Sequence, residues 1–145
     1  MSVQLDIEIQ RFKNCGTKMK PEVKSRLVEA LRSGKYKQTN GYLQFIKTDE
    51  FTSPGFCCLG VLSEIAKNDP EIPVDSRLHP CGDSMEYFST VPKSDPGAFD
   101  KSTAFLIDEV AEWSGITAEV SGALMGVNDN GGSFELIADL VEEYL

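Results

Sequence analysis

Cys57 and Cys58 stand side by side, and His79 lies two positions before Cys81. These four residues are the raw material for a zinc site or a Cys/His nucleophile. Adjacent cysteines on a helix point about 100° apart, and no C-x₂-C pair exists to share a metal. A thiolate also needs an electropositive, accessible setting, whereas Cys57 and Cys58 lie in an apolar run. They read first as small buried hydrophobes, so no metal, cofactor or catalytic residue is expected from this set.

A second cluster is Lys35, Tyr36, Lys37 and Gln38, which places donors and an aromatic in one polar loop suited to an anionic ligand or an acidic partner. A third is Asn128-Asp129-Asn130-Gly131-Gly132-Ser133. Aligned as a calcium loop on Gly131, it puts Gly126 at the first position and Ile137 at the twelfth, so both essential carboxylates are missing. As a helix start it is better: Gly131, Gly132 and Ser133 would offer backbone N–H groups to an anion beside a positive helix end. Asp108, Glu109 and Glu112 supply carboxylates for acid/base work, but on a helix exterior they read as solvated charge. The candidate site for a ligand or partner is therefore Lys35, Tyr36, Lys37, Gln38, Asn128, Asp129, Asn130 and Ser133. As a pocket it requires the two segments to meet.

The elements that would position these groups follow from periodicity. Val3, Leu5, Ile7 and Ile9 alternate with polar residues, which predicts a strand over residues 3–11. Residues 20–34 form a well-marked helix, with Pro21 harmless at its start, Glu22 in the first turn and Gly34 at C′. Val23, Leu27, Ala30 and Leu31 share its buried face. Tyr42, Leu43, Phe45 and Ile46 predict a second strand. Phe56–Lys67 is apolar at almost every position and predicts a central buried helix, with Gly60 a point of close helix contact.

Residues 68–100 carry five prolines and read as a long irregular excursion with one short strand near Met85–Val91. Helices are predicted over 103–115, with Phe105, Leu106, Val110 and Trp113 buried, and over 117–125. A turn at Gly126–Gly132 then leads to a last helix capped by Ser133, with Phe134, Ile137, Leu140 and Val141 as its stripe.

The 145 residues fit one domain, 1–145, with residues 1–19 an N-terminal strand extension. The expected class is α+β: a mainly helical single domain with a small antiparallel sheet formed by 3–11 and 42–47. The expected core is Leu27, Leu31, Leu59, Leu62, Ile65, Leu106, Val110, Trp113, Leu124, Ile137 and Leu140. No run of eighteen apolar residues and no basic, apolar leader is present, so a cytoplasmic protein with reduced thiols is expected.

The net charge of −9 hides an asymmetry: residues 1–50 hold ten Lys/Arg and six Asp/Glu, while residues 51–145 hold four and seventeen. So acidic a body disfavours direct nucleic-acid binding and suits a basic partner surface.

Leu31-Arg-Ser-Gly-Lys-Tyr-Lys-Gln38, Phe56-Cys-Cys-Leu-Gly-Val-Leu62, Val110-Ala-Glu-Trp113, Asn128-Asp-Asn-Gly-Gly-Ser-Phe134 and Ile137-Ala-Asp139 occur in this order. The set resembles a widespread family of small proteins encoded by tailed bacteriophages and prophages, over residues 20–67 and 103–145. That resemblance implies a genomic setting, the host cell cytoplasm, and no particular reaction. The expected function is a non-catalytic accessory protein that binds and inhibits or sequesters a host component, such as a defence protein. The alternative is a small-molecule or nucleotide-binding protein, or a nucleotide-processing enzyme, using the Lys35–Gln38 loop and the Asn128–Ser133 turn on a small anionic ligand. A homo-oligomer joined through Tyr144 and Leu145 is the third.

Overall fold

In the computed structural model, which describes residues 3–47, 53–91 and 100–145, six helices and two small antiparallel sheets surround one core. The chain runs α1 (Val3–Lys13), α2 (Pro21–Arg32), β1 (Gln44–Phe45), β2 (Gly55–Phe56), α3 (Cys58–Lys67), β3 (Val74–Leu78), β4 (Met85–Ser89), β5 (Lys101–Ser102), α4 (Asp108–Ser114), α5 (Ala118–Asp129) and α6 (Phe134–Tyr144). The α+β class expected from the sequence is what the chain adopts.

Helix α3 is the centre, with Cys58, Leu59, Val61, Leu62, Ile65 and Ala66 all buried. Cys57 precedes it as N-cap, its sulfur accepting from Gly60 N at 3.4 Å. Gly60 does mark a close approach, but to backbone rather than to a helix. A Cβ there would overlap the Leu43 carbonyl, which also accepts from Cys57 N at 3.3 Å. Around α3, helix α2 packs along α6, and α1 along α5.

The predicted first strand is a helix. Leu5 and Phe12 are buried and Ile9 packs beside them, a spacing of four and three that faces α5, while Val3 and Ile7 stay exposed. The predicted pairing of 3–11 with 42–47 therefore does not exist. Instead β1 pairs with β2 (Gln44↔Phe56), and β3–β4–β5 form a second sheet. In it β4 falls on the short strand expected near Met85–Val91, β3 lies in the part of 68–100 expected to be irregular, and β5 follows that stretch.

Helix α4 starts at Asp108, not near 103, because Ser102 Oγ takes Ala104 N at 3.0 Å and Phe105 N at 2.8 Å into a side-chain-closed turn. Phe105 is consequently 55% exposed rather than buried. Helix α5 continues through the predicted turn to Asp129, and Asn130 is its C-cap. Of the expected core only Trp113 is half-buried, with Arg26 over its ring at 5.5 Å. Leu145 is buried within its own chain, so it is not available to a neighbour.

Candidate functional site

The two sequence segments singled out for binding do meet, and Gln38 joins them. Its Nε2 donates to Asn128 Oδ1 at 3.0 Å and to the Gly132 carbonyl at 2.7 Å, and its Oε1 accepts from Phe134 N at 3.1 Å. Asn128, 1% exposed, also accepts from Cys58 N at 3.1 Å and donates to the Thr39 carbonyl at 2.9 Å. One amide thus ties the last turn of α5 to the first turn of α3 and to the 38–40 loop. A buried amide with both ends satisfied is a staple.

The turn offers an anion few donors. Gly132 N is bonded to the Val127 carbonyl at 2.9 Å, Phe134 N to Gln38, and Leu136 N to Ser133 Oγ at 3.1 Å. Asp129 Oδ1 accepts from Gly41 N at 3.2 Å, and Asn130 Nδ2 donates back to the Gly126 carbonyl at 2.7 Å. Ser133 is the α6 N-cap that the sequence predicts.

Lys35, Tyr36 and Lys37 stand on the other side of that loop. Lys37 is exposed, and its carbonyl accepts from Phe56 N at 2.8 Å. Lys35 and Tyr36 line an open cleft of about 330 Å³ between α2 and the end of α3, with Arg26, Glu29, Ser33 and Asn68. The Tyr36 ring meets Phe56 edge-on at 5.2 Å, and burial, then the Glu64 carboxylate, pushes its phenol upward. Arg26 is already engaged by Asp69 at 3.1 Å.

The chemistry-bearing thiols are sealed. Burial pushes Cys57 up to about 11 and Cys58 well above its ordinary value, so neither offers a thiolate near neutral pH. His79 and Cys81 pair with each other on an exposed turn instead, away from both. Among the described residues no group of three or more His, Cys, Asp or Glu side chains is arranged to hold a metal ion.

A site that the sequence reading missed lies between the approach to α4 and the outer face of α5. Phe105, Leu106, Asp108, Ala111, Ser121 and Met125 contribute to a groove of about 420 Å³ with largely apolar walls. Ala118, Ser121, Gly122 and Met125 recur at helical spacing, and small side chains along one face leave a trough. That small-residue stripe, beside a Phe105-Leu106 pair that cannot both face inward from one turn, was the available signal. Arg11 approaches the Gly122 edge of this region from α1 and pairs with Glu8 at 3.5 Å.

No helix of the described residues is long and apolar enough to cross a membrane. No curated protein and no solved structure matches the chain. Residues 19–145, everything from the end of the α1–α2 linker onward, match the family described as "Domain of unknown function (DUF8296)". The chain belongs to that family, with α1 standing before the matched region and packed onto its α5.

Proposed function

We propose that the protein works by binding rather than by turnover: it docks on a basic surface of a partner protein and blocks or sequesters it. The α4–α5 groove is the seat for an apolar anchor of that partner. The observation that carries this reading is the make-up of the walls. They are largely apolar, with the small Ala118, Ser121 and Gly122 on the α5 side, and Phe105 is held outward at their rim by the Ser102 turn. A side-chain-sized concavity beside an exposed aromatic is the usual seat of an interface hot spot.

Charge selects the partner's sign. Helices α4 and α5 contain Asp108, Glu109, Glu112, Glu119 and Asp129 and no Lys or Arg, within a half of the chain that is strongly acidic. An apolar residue flanked by Lys or Arg complements such a surface. The resemblance to tailed-phage and prophage proteins supplies the setting, a host or defence component met in the host cytoplasm.

The test is NMR titration with peptides carrying one Trp, Phe or Leu among Lys and Arg residues, against acidic versions of the same peptides. Shifts should centre on Ala111, Ser121, Gly122 and Met125 and vanish in Ser121→Phe, which fills the groove. Shifts centred elsewhere, or no preference for the basic peptides, would reject the assignment.

A second reading, a small anionic ligand, is favoured by one observation. Lys35 and Tyr36 line the α2–α3 cleft together, and the Lys35 ammonium has no ion pair among the described residues. Thermal shifts with nucleotides and inorganic phosphate, lost in Lys35→Ala, would support it over the groove.

A further inference from the structure

The β3–β4 hairpin ends in His79-Pro80-Cys81-Gly82-Asp83, and its backbone fixes three reactive side chains in one place. Leu78 pairs with Met85, His79 N donates to the Ser84 carbonyl at 2.9 Å, and Gly82 N to the His79 carbonyl at 2.8 Å. Gly82 takes the left-handed conformation (φ 80°) that closes the turn. Ile46 N donates to the Asp83 carbonyl at 2.9 Å, which anchors the tip against the end of β1.

Cys81 Sγ is 2.8 Å from His79 Nδ1 and 2.7 Å from Asp83 Oδ1. Cys81 N also donates to the same Nδ1 at 3.3 Å, so that nitrogen carries the lone pair and the ring proton of the neutral form sits on Nε2. The imidazole is therefore presented as a base toward the sulfur. Ser84 Oγ donates to Asp83 Oδ1 at 3.3 Å. The Asp83 carboxyl is held below its ordinary range, first by the Cys81 thiol and further by Ser84 and the Lys47 charge. Asp83 thus stays ionised and competes with His79 for the thiol proton.

Cys81 is also the exposed thiol of the chain, since Cys15, Cys57 and Cys58 are buried. A resident metal is the less fitting use of the three donors. Ligands of a tetrahedral zinc, at about 2.0 Å for nitrogen and 2.3 Å for sulfur, lie farther apart from each other than these do.

We propose that this turn is a thiol–disulfide exchange site, in which Cys81 attacks a small exposed disulfide with His79 as its base. The thiol proton passes to His79 Nδ1 and the Cys81 sulfur bonds to one sulfur of the disulfide. The disulfide S–S bond breaks, and the departing thiolate takes the proton back from the imidazolium. One disulfide and one thiol are consumed, one mixed disulfide and one thiol are formed, and no outside oxidant enters. Asp83 acts as a brake on the exchange, because its carboxylate accepts from the Cys81 thiol and sets a negative charge 2.7 Å from the sulfur that must attack.

The experiment uses the full chain with oxidised glutathione at pH 7, followed by intact mass and peptide mapping. One mixed disulfide is expected, on Cys81. Its formation should slow by about a hundredfold in His79→Gln, the lower edge of general-base effects, and quicken in Asp83→Asn. Circular dichroism and melting of both variants check that the hairpin is retained, which an exposed turn permits. Equal rates in wild type and His79→Gln would overturn the proposal, as would modification of Cys15 in preference to Cys81. A slower rather than faster Asp83→Asn would overturn the assigned role of the carboxylate.

Discussion

Gln38 and Asn128, 90 residues apart in sequence, are bonded amide to amide at 3.0 Å, and the same Gln38 reaches the Gly132 carbonyl and Phe134 N. Two loops that look like binding chemistry in the sequence are thereby turned into a joint between α3, α5 and α6. Asn, Gln, Gly and Ser are the residues of both ligand cradles and helix junctions, because both uses need backbone donors and acceptors met by short polar side chains.

That joint is testable through Asn128. Asn128→Leu keeps the γ-branched shape but leaves Cys58 N, the Thr39 carbonyl and the Gln38 amide short of a partner in a buried place. The expected loss is about 3 kcal/mol in urea unfolding, at about 1–3 kcal/mol for each group left unsatisfied. Asn130→Ala, which removes one half-buried bond to Gly126, should lose about 1 kcal/mol. Equal losses in the two variants would show that the joint is no more than another turn.

How far the sequence reveals this fold depends on how local the deciding contacts are. Helix α2 was legible because Pro21, Glu22 and Gly34, the last at φ 75°, each act within one turn. Helix α1 was not. Leu5 and Ile9 satisfy a period of two and a spacing of four equally well, and only Phe12 and Cys15, outside the alternating run, break the tie toward a helix. The Asn-Asp-Asn run reads as a turn until the buried partners of Asn128 are known, and these lie 70 to 90 residues away. The groove was hidden for the same reason. Its walls come from two elements, and the Ser102 turn that exposes Phe105 suppresses a helix start that periodicity alone favours.

Salt should probe the contact between the basic and acidic parts of the chain. Arg32 of α2 forks to Asp139 and Glu142 of α6, each at 2.6 Å. These groups face solvent, so the attraction is screened as salt is added. The melting temperature of Arg32→Gln should lie below wild type at low ionic strength, and the gap should narrow toward 1 M sodium chloride. A gap independent of salt would mean that the Arg32 side chain acts by packing alone.

The buried thiols predict an alkaline limit to stability, with a definite sign. Cys57 is raised from 9.0 to about 11 by burial, and Cys58 and the fully buried Tyr87 are raised as well. In the unfolded chain the Cys57 thiol loses its proton near 9, while the folded chain keeps it until about 11. Over that interval the unfolded state binds fewer protons, so stability falls as pH rises, and below about 9 the contribution is complete. One group shifted this far is worth about 2–3 kcal/mol across the window. Urea midpoints should therefore hold level from neutral pH to about 8.5 and drop between 9 and 11. Cys57→Ser keeps an acceptor for Gly60 N without a group that titrates there, so it should flatten the drop. Tyr87→Phe removes the phenol bonded to Glu64 at 2.7 Å and should trim the upper part of the same decline. If wild type and Cys57→Ser fall in parallel, the thiol is not what limits the fold at high pH.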